Sequence, residues 1–319
     1  MAQTLKLIRK KDEITALNGK VIDSLDSNST ADAPSIHAVN EYVGNMSNTN
    51  LLINGDFQVW QRGETHSNIA NQYTADRWQI KNAKGNTSSV VKSTDVPSGV
   101  YFSNSIHITE TLSENTYLRY NLEQALKGTL TLSFWYKTDV AFNSYIYDNG
   151  SLIHLGKSNA TNEWTKCVFT FDATALTYMN IIHSISAGDV YIAGVKLEYG
   201  AVATPFVPRS YAEELISCYR FFYAFNARLI MFQYYNEFAE GNIYYPIKMR
   251  TTPSISYMTG TYYSYDQSSF VEPATLGINY DDFTADSATI VLTKNAADTF
   301  SPGHSLNAKI LICFDAEIY

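Results

Sequence analysis

Residues 50–62 read Asn50-Leu-Leu-Ile-Asn-Gly-Asp-Phe-Gln-Val-Trp-Gln-Arg62. The run from Leu52 to Trp60 has the residue types of a short strand. The dipeptide Asn54-Gly55 interrupts it and indicates a turn or a bulge. We therefore expect a strand that is broken near its start. In the alternation of a strand, Phe57 and Trp60 point to opposite faces.

Short strand patterns continue from this segment to about residue 209. They are found at residues 117–122, 130–136, 166–171 and 190–197. Gly and Asn residues separate them, and helical periodicity is almost absent. Many short strands with turn residues between them predict an all-β sandwich or jelly roll over residues 50–209. Within residues 130–136, alternation places Phe134 and Tyr136 on one face and Trp135 on the other.

A boundary follows at residues 203–209, where two prolines favour stiff, extended backbone. Ser210 and Glu213 then have the spacing of a capping box, which predicts a short helix that ends near Tyr219. Strand patterns resume in residues 220–225, 228–235, 241–247, 254–257, 288–292 and 308–314. They predict a second β-sandwich over residues 210–319, which is an ordinary domain size.

Residues 1–49 differ from the rest because they contain no Trp or Phe. Apolar residues recur at spacings of three and four, which indicates a helical stripe of under two heptads. They are Ile14, Leu17, Val21 and Leu25. We expect a short helical and extended attachment segment. Its basic cluster suits an acidic docking partner, although a solvated terminus has the same composition. The cluster is Lys6, Arg9, Lys10 and Lys11.

Charge and apolar content exclude several classes of protein. The formal net charge is −8, from 23 basic and 31 acidic residues, which argues against a nucleic-acid partner. No apolar run is long enough for a membrane span of about 18 residues. The basic residues of the N-terminus follow its short apolar stretch, the reverse of a secretion signal, so we expect synthesis in a cytoplasm. The three cysteines lack a CxxC motif and predict buried free thiols rather than disulfides.

Tyrosine is the unusual residue, with 24 copies beside 16 Phe and 4 Trp. Aromatic enrichment favours both strands and wet binding surfaces. Sugar rings stack their C–H faces on aromatic rings, so exposed aromatic residues are candidates for carbohydrate binding. Among the tryptophans, we select Trp60 and Trp135 as candidates for an exposed platform. For both of them the alternative is packing in the core, because Trp is highly buried on average.

No catalytic residue is predicted. The sequence has no Gly-x-Ser-x-Gly, His-Glu-x-x-His or phosphate-loop motif. A glycan-cleaving enzyme needs two carboxylates about 5–9 Å apart, and no pattern brings any pair of these together. The carboxylates considered are Glu110, Glu114, Glu123 and Glu198.

Residues 50–209 resemble the carbohydrate-binding-module-like jelly rolls of phage and prophage structural proteins. Four segments carry the resemblance: residues 50–62, 73–78 (Tyr-Thr-Ala-Asp-Arg-Trp), 130–136 and 187–209. The last of them runs into Ser210-Tyr-Ala-Glu-Glu-Leu215 and looks like a common phage fibre junction. Residues 21–35 and 245–253 are similar to other parts of such fibres.

The resemblance implies a non-enzymatic virion fibre or receptor-binding protein, usually a homotrimer, made in the bacterial host cytoplasm. It would bind host-surface polysaccharide and attach to other virion proteins through residues 1–49. Whether it sits on the head or the tail is left open. The alternatives are a purely structural capsid-decoration or tail-adaptor subunit and, disfavoured by the missing motifs, a glycan depolymerase.

The resemblance also implies a metal. Jelly-roll modules of this type often hold a structural calcium between their first and last strands. Asp56 and Asp189 would then be ligands, although calcium needs six to eight oxygens and Asp56 has a ready role in the Asn54-Gly55 turn.

Overall fold

The computed structural model describes residues 48–69, 71–82, 88–111, 116–233, 238–263, 270–271, 273, 275–279, 283–293 and 305–319. The predicted attachment segment, with Lys6, Arg9, Lys10 and Lys11, lies outside these residues. Within them the chain is nearly all β, with one helix, as the sequence predicts. No helix in this part of the chain has the length and apolar content needed to cross a membrane.

The first ten strands form one sheet. They are β1 (Thr65–Ile69), β2 (Asn71–Tyr73), β3 (Trp78–Asn82), β4 (Ser88–Ser93), β5 (Ser105–Glu110), β6 (Thr116–Thr138), β7 (Phe142–Asp148), β8 (Ser151–Ser158), β9 (Thr161–His183) and β10 (Gly188–Tyr199). All of the pairings between them are antiparallel.

Strands β6 and β9 are 23 residues long and pair along most of their length. One half of the β6–β9 pair lies in a layer with the strand order β2-β3-β6-β9-β7-β8. The other half lies in a layer with the strand order β1-β4-β5-β10-β6-β9. Register shifts between Asn121 and Gly128 interrupt the β6–β9 ladder where it passes from one layer to the other. Apolar side chains of both layers form one core cluster, which is the jelly-roll-like sandwich that the sequence predicts.

The second unit begins with helix α1 (Tyr211–Tyr219), whose capping box of Ser210 and Glu213 is present as predicted. Its strands are β11 (Phe222–Gln233), β12 (Phe238–Tyr244), β13 (Ser254–Tyr263), β14 (Phe270–Val271), β15 (Thr275–Asn279), β16 (Ser287–Thr293) and β17 (Ser305–Asp315). Their order is β14-β13-β17-β11-β12-β16-β15, and β13 also contacts β15. The sheet therefore curls towards a barrel around its own core.

The opening segment corrects one expectation, because residues 51–56 form bends and a turn, and residues 57–60 belong to no strand. Asn54 causes this. Its Nδ2 donates to the carbonyl oxygens of Val59 and Asp76, both at 2.9 Å, and its Oδ1 accepts from the Val59 N–H at 3.0 Å. Asn54 and Phe57 also adopt positive φ values of 58° and 54°. These side-chain hydrogen bonds replace a strand ladder.

The exit segment is the end of β10, Val195-Lys-Leu-Glu-Tyr199, with the residues that follow it. A buried polar cluster holds it in place. Lys196 and Glu198 are buried and lie 3.4 Å apart. Glu198 accepts from the backbone N–H and the hydroxyl of Thr204, and Lys196 Nζ donates to the same hydroxyl at 2.6 Å. This buried polar cluster fastens the chain to β10 as it leaves the sandwich.

Candidate functional site

Three rows of side chains cross the outer surface of the layer formed by β3, β6, β9, β7 and β8. In that strand order the first row is Lys81, Tyr117, His183, Asn143, Lys157, and the second is Gln79, Arg119, Asn180, Tyr145, His154. The third, from β6 to β8, is Asn121, Tyr178, Tyr147, Leu152. We define the tyrosine face as Lys81, Tyr117, Arg119, Asn143, Tyr145, Tyr147, His154, Lys157, Tyr178, Asn180 and His183.

Strand alternation places the β6 and β7 members of this set outward, whereas Asn180 on β9 is buried. On β7, Phe142, Ser144 and Ile146 are buried, whereas Asn143, Tyr145 and Tyr147 are half-buried. On β6, Leu118 and Tyr120 enter the core and alternate with Tyr117 and Arg119, which are half-buried. The inward residues anchor the strands, so the outward ones stand on a fixed base.

Aromatic rings contact one another along the face. The Tyr117 and His183 rings lie edge to face with centroids 4.6 Å apart. The Tyr145 ring lies 4.2 Å from His183 and 4.9 Å from His154. The four rings belong to β6, β9, β7 and β8, so they form a continuous aromatic surface across four strands.

Arg119 and Tyr178 are held in one orientation. The guanidinium carbon of Arg119 lies 3.9 Å from the Tyr178 ring centroid, and the opposite neighbour of that ring is Tyr147, stacked at 4.8 Å with an interplanar angle of 5°. Arg119 Nε donates to Asn180 Oδ1 at 2.9 Å. The cation–π contact and the hydrogen bond together fix the plane of the guanidinium.

The face is positively charged. Its rows contain Lys81, Arg119 and Lys157 and no Asp or Glu. Among the described residues, no carboxylate forms an ion pair with any of the three. Burial, followed by the charge of Arg119, lowers the pKa of both Lys81 and His183. A His183 imidazole with a lowered pKa adds no further charge at pH 7, and its Nδ1 already lies 3.1 Å from Asn180 Nδ2.

The outer surface of the other layer carries a second aromatic row with a different character. The Tyr191 ring lies between the His107 ring, stacked at 4.0 Å, and the Lys137 ammonium, 4.5 Å from its centroid. Lys137 pairs with Asp95, and His107 lies 2.7 Å from Asp189. Both faces of this tyrosine are thus covered, and Lys137 and His107 each have a carboxylate partner within the protein.

The two tryptophans predicted to form an exposed platform, Trp60 and Trp135, differ in their exposure. Trp135 lies half-buried on this second outer surface, while Phe134 and Tyr136 enter the core, as alternation predicts. The expectation of an exposed Trp60 is wrong. Only 8% of its surface is accessible, and it belongs to the core cluster. Its indole N–H donates to the Phe57 carbonyl at 2.6 Å inside the opening turn.

The two proposed calcium ligands lie in different surroundings. Asp56 is buried, and desolvation and the nearby Glu214 raise its pKa to about 6. Asp189 is about half exposed and accepts from Thr109 at 2.6 Å, which holds its pKa below the usual range. Within the described ranges, no group of three or more His, Cys, Asp or Glu side chains is placed to hold a metal ion. The calcium stays a prediction.

The carboxylates considered for catalysis have structural partners where they are described. Glu110 accepts from the Ser88 hydroxyl at 2.7 Å, and Glu198 belongs to the exit cluster. Glu123 pairs with Arg220 at 2.7 Å. Glu114 lies outside the described residues. All three cysteines are free, with Cys218 buried and Cys167 and Cys313 half-buried.

A cavity of about 450 Å³ lies where the two units meet. Arg62 stands in its wall and reaches Asp76 at 2.9 Å, Glu317 at 3.5 Å and Asp315 at 3.6 Å. Desolvation by burial raises the pKa of Asp76 to about 7. The charged groups of this cavity are committed to one another and to joining the two units.

No protein-family model matches the chain, and no curated protein matches it. Solved structures share part of the fold at low similarity. The enzymatically active domain of tailspike protein 4 of bacteriophage CBA120 is 17% identical with a TM-score of 0.36, covering 47% of this chain and 21% of the tailspike chain.

For two further structures the alignment spans their whole chains. TmCBM61 in complex with β-1,4-galactotriose is 16% identical with a TM-score of 0.36 and covers 48% of this chain and 100% of its own. A cyclase from Fischerella sp. TAU is 12% identical with a TM-score of 0.35 and covers 49% of this chain and 100% of its own. At such TM-scores these likenesses carry no weight for function.

Proposed function

We propose that this chain is a non-enzymatic phage fibre protein that binds host-surface glycan on the tyrosine face. The observation that supports this most is the surface itself, in which four tyrosines and two histidines stand outward on neighbouring strands. The hydroxyls of Tyr117, Tyr145 and Tyr147 form no hydrogen bond with a described residue. They are available to a ligand.

The chemistry of the face suits a sugar. Tyrosine offers an apolar ring for the C–H face of a pyranose and a hydroxyl for its polar edge, at low conformational-entropy cost. Asn143 and His154 add donors and acceptors at the rim and lie 3.2 Å apart. The surface is shallow, so single contacts are weak and several chains on one particle add through avidity.

Replacing Tyr147 by Ala tests the site. The Tyr147 ring is stacked on Tyr178 on one side and half-buried, so its loss should leave the fold intact. Loss of one aromatic contact is worth about 1.5 kcal/mol, which is about tenfold in affinity. Biolayer interferometry of the full chain on host-cell polysaccharide should show that loss.

Tyr101→Ala is the matched control, because Tyr101 is 78% exposed and lies outside the tyrosine face. It should bind as the unmodified chain does. The Trp164 ring lies 6.3 Å from the Tyr191 ring on the other outer surface. Loss of binding in Trp164→Ala with full binding in Tyr147→Ala would move the site to that surface.

We also propose that three chains associate through the second unit. Ile230, Phe232 and Tyr244 are 61%, 60% and 73% exposed on the outer surface of β11 and β12, within the aromatic-rich residues 219–263. Exposed apolar side chains grouped in this way favour association. Sedimentation equilibrium of the full chain should give the mass of three chains, and a stable monomer at micromolar concentration would contradict a trimer.

The remaining parts of the proposal concern placement. The protein would be made in the bacterial host cytoplasm and carried on the virion, attached to other virion proteins through residues 1–49. Labelling of intact particles with gold-coupled antibodies against residues 50–319 tests this. A signal on the particle supports it, and unlabelled particles beside positive controls would contradict it. A structural calcium at Asp56 or Asp189 would be an accessory to this role.

A further inference from the structure

We infer that the glycan bound on the tyrosine face is acidic, with carboxylate groups on its sugars. This inference rests on the proposed function and adds the chemical class of the ligand. It starts from an imbalance of charge, since the chain carries a net −8 while the face carries Lys81, Arg119 and Lys157 without a carboxylate.

Arg119 is the central cation. It lies in the middle row between Gln79 and Asn180, with aromatic rings on the rows to either side. Its plane is fixed by Tyr178 and Asn180 before any ligand arrives. A planar guanidinium in a fixed orientation is suited to a planar carboxylate, which it binds through two parallel hydrogen bonds.

Other basic side chains of the protein are paired with carboxylates. Arg77 pairs with Glu317, Arg209 with Glu214 at 2.9 Å, and Arg220 with Glu123 at 2.7 Å. Lys137, on the second aromatic row, pairs with Asp95. The tyrosine face has the same aromatic and cationic composition as that row but lacks the compensating carboxylates. An uncompensated, partly buried charge is costly, and a ligand carboxylate would compensate it.

The aromatic rings that lie between the cations favour an anion that is carried on a sugar. Lys81 and Lys157 lie at opposite ends of the first row with Tyr117, His183 and Asn143 between them. A chain of pyranoses laid along this row would place ring faces on aromatic groups and acidic groups at both ends. The net negative charge of the protein disfavours nucleic acid, whose phosphates require a broad basic surface.

The experiment uses the full chain on immobilised polygalacturonate, alginate, hyaluronate and polysialate, each also presented after chemical reduction of its carboxyl groups. Neutral galactan and a phosphate-bearing teichoic acid complete the panel. We expect retention on at least one acidic polymer, with at least a tenfold loss after reduction. Arg119→Met should lower affinity by at least about thirtyfold, in the range measured for buried charge pairs.

Lys127→Met is the matched control, since it removes one positive charge from an exposed position on β6 outside the tyrosine face. It should bind as the unmodified chain does. Arg119→Lys keeps the charge without the planar fork and should bind with intermediate strength, and it provides a second variant if Arg119→Met is unstable. Far-UV circular dichroism and thermal melting check the fold of each variant.

Three outcomes would overturn the inference. They are equal retention on reduced polymers, unchanged binding by Arg119→Met, and retention of teichoic acid without any carboxylated polymer. Neutral galactan retained alone and lost in Tyr147→Ala would contradict the acidic ligand while leaving the proposed function standing. No retention on any polymer, by a chain that also fails to bind host polysaccharide, would reject the proposed function itself.

Discussion

Replacing Gly55 by Ala is expected to destabilise the protein by about 3 kcal/mol, the upper end of the cost of overpacking. A Cβ at this position would lie 2.2 Å from the Val195 carbonyl oxygen and 2.7 Å from Asn50 Nδ2. Neither atom can move freely. The Val195 N–H donates to the Gly55 carbonyl at 2.7 Å, and Asn50 Nδ2 donates to the Val195 carbonyl at 3.0 Å.

Thermal unfolding measures this effect. A loss of about 3 kcal/mol corresponds to a decrease in Tm of about 10 °C for a unit of this size. Gly277→Ala is the control, because nothing lies within 4 Å of a Cβ at Gly277 on β15. We expect a change of no more than about 0.5 kcal/mol there. Equal melting of the two variants would show that the opening turn does not pack against β10 as described.

Replacing Arg77 by Met is expected to cost about 3 kcal/mol, because it removes the direct partner of the buried Glu317 carboxylate and leaves only Arg62, at 3.5 Å, to compensate its charge. Arg77 and Glu317 are both almost fully buried and pair directly. Arg77 also donates to the Asn121 carbonyl at 2.7 Å and packs 3.6 Å above the Phe221 ring. Because Glu317 follows β17, the pair fastens the end of the second unit to the sandwich.

The double variant Arg77→Met with Glu317→Gln should recover part of the loss, since it removes the stranded charge. Arg220→Met breaks the exposed pair with Glu123 and should cost no more than about 1 kcal/mol. Equilibrium unfolding in urea compares all three. If Arg77→Met costs no more than Arg220→Met, the junction does not depend on this ion pair.

Residues 50–62 and 73–78, two of the segments that carry the resemblance, are joined by hydrogen bonds. Asn54, Asp76 and Trp78 are tied together, with the Trp78 indole donating to the Asn54 carbonyl at 2.8 Å. Asp76 accepts from the Gln61 N–H at 3.1 Å and pairs with Arg62. These two segments therefore build the opening turn and the junction, and the tyrosine face lies elsewhere on the sandwich.

Local signals in the sequence predicted local structure well. The Ser210 capping box and the alternation around Trp135 are both present, because each depends on neighbours within a few residues. The prediction of an opening strand is wrong because the Asn54 side chain donates to the backbone carbonyl of Asp76, which is 22 residues away. The exposure of Trp60 was wrong for the same reason, since the turn carries its ring into the core.

The sequence does not single out the tyrosine face, because its 24 tyrosines are spread along the chain whereas the 4 tryptophans stand out. The segment Phe142-Asn-Ser-Tyr145-Ile-Tyr147 alternates cleanly and could have indicated an outward tyrosine pair. The absence of compensating acids could not have been found in this way. It depends on which residues of β3, β6, β9, β7 and β8 stand opposite one another, and long-range pairing brings these strands together.

Hydroxyl-radical footprinting of the full chain, with and without the polysaccharide that it retains, tests the central proposal most directly. Side-chain oxidation of Tyr117, Tyr145 and Tyr147 should decrease when the glycan binds. Oxidation of Tyr191 and Trp164 on the other outer surface should stay unchanged. Protection of Tyr191 and Trp164, with the tyrosine face still oxidised, would contradict glycan binding at the tyrosine face.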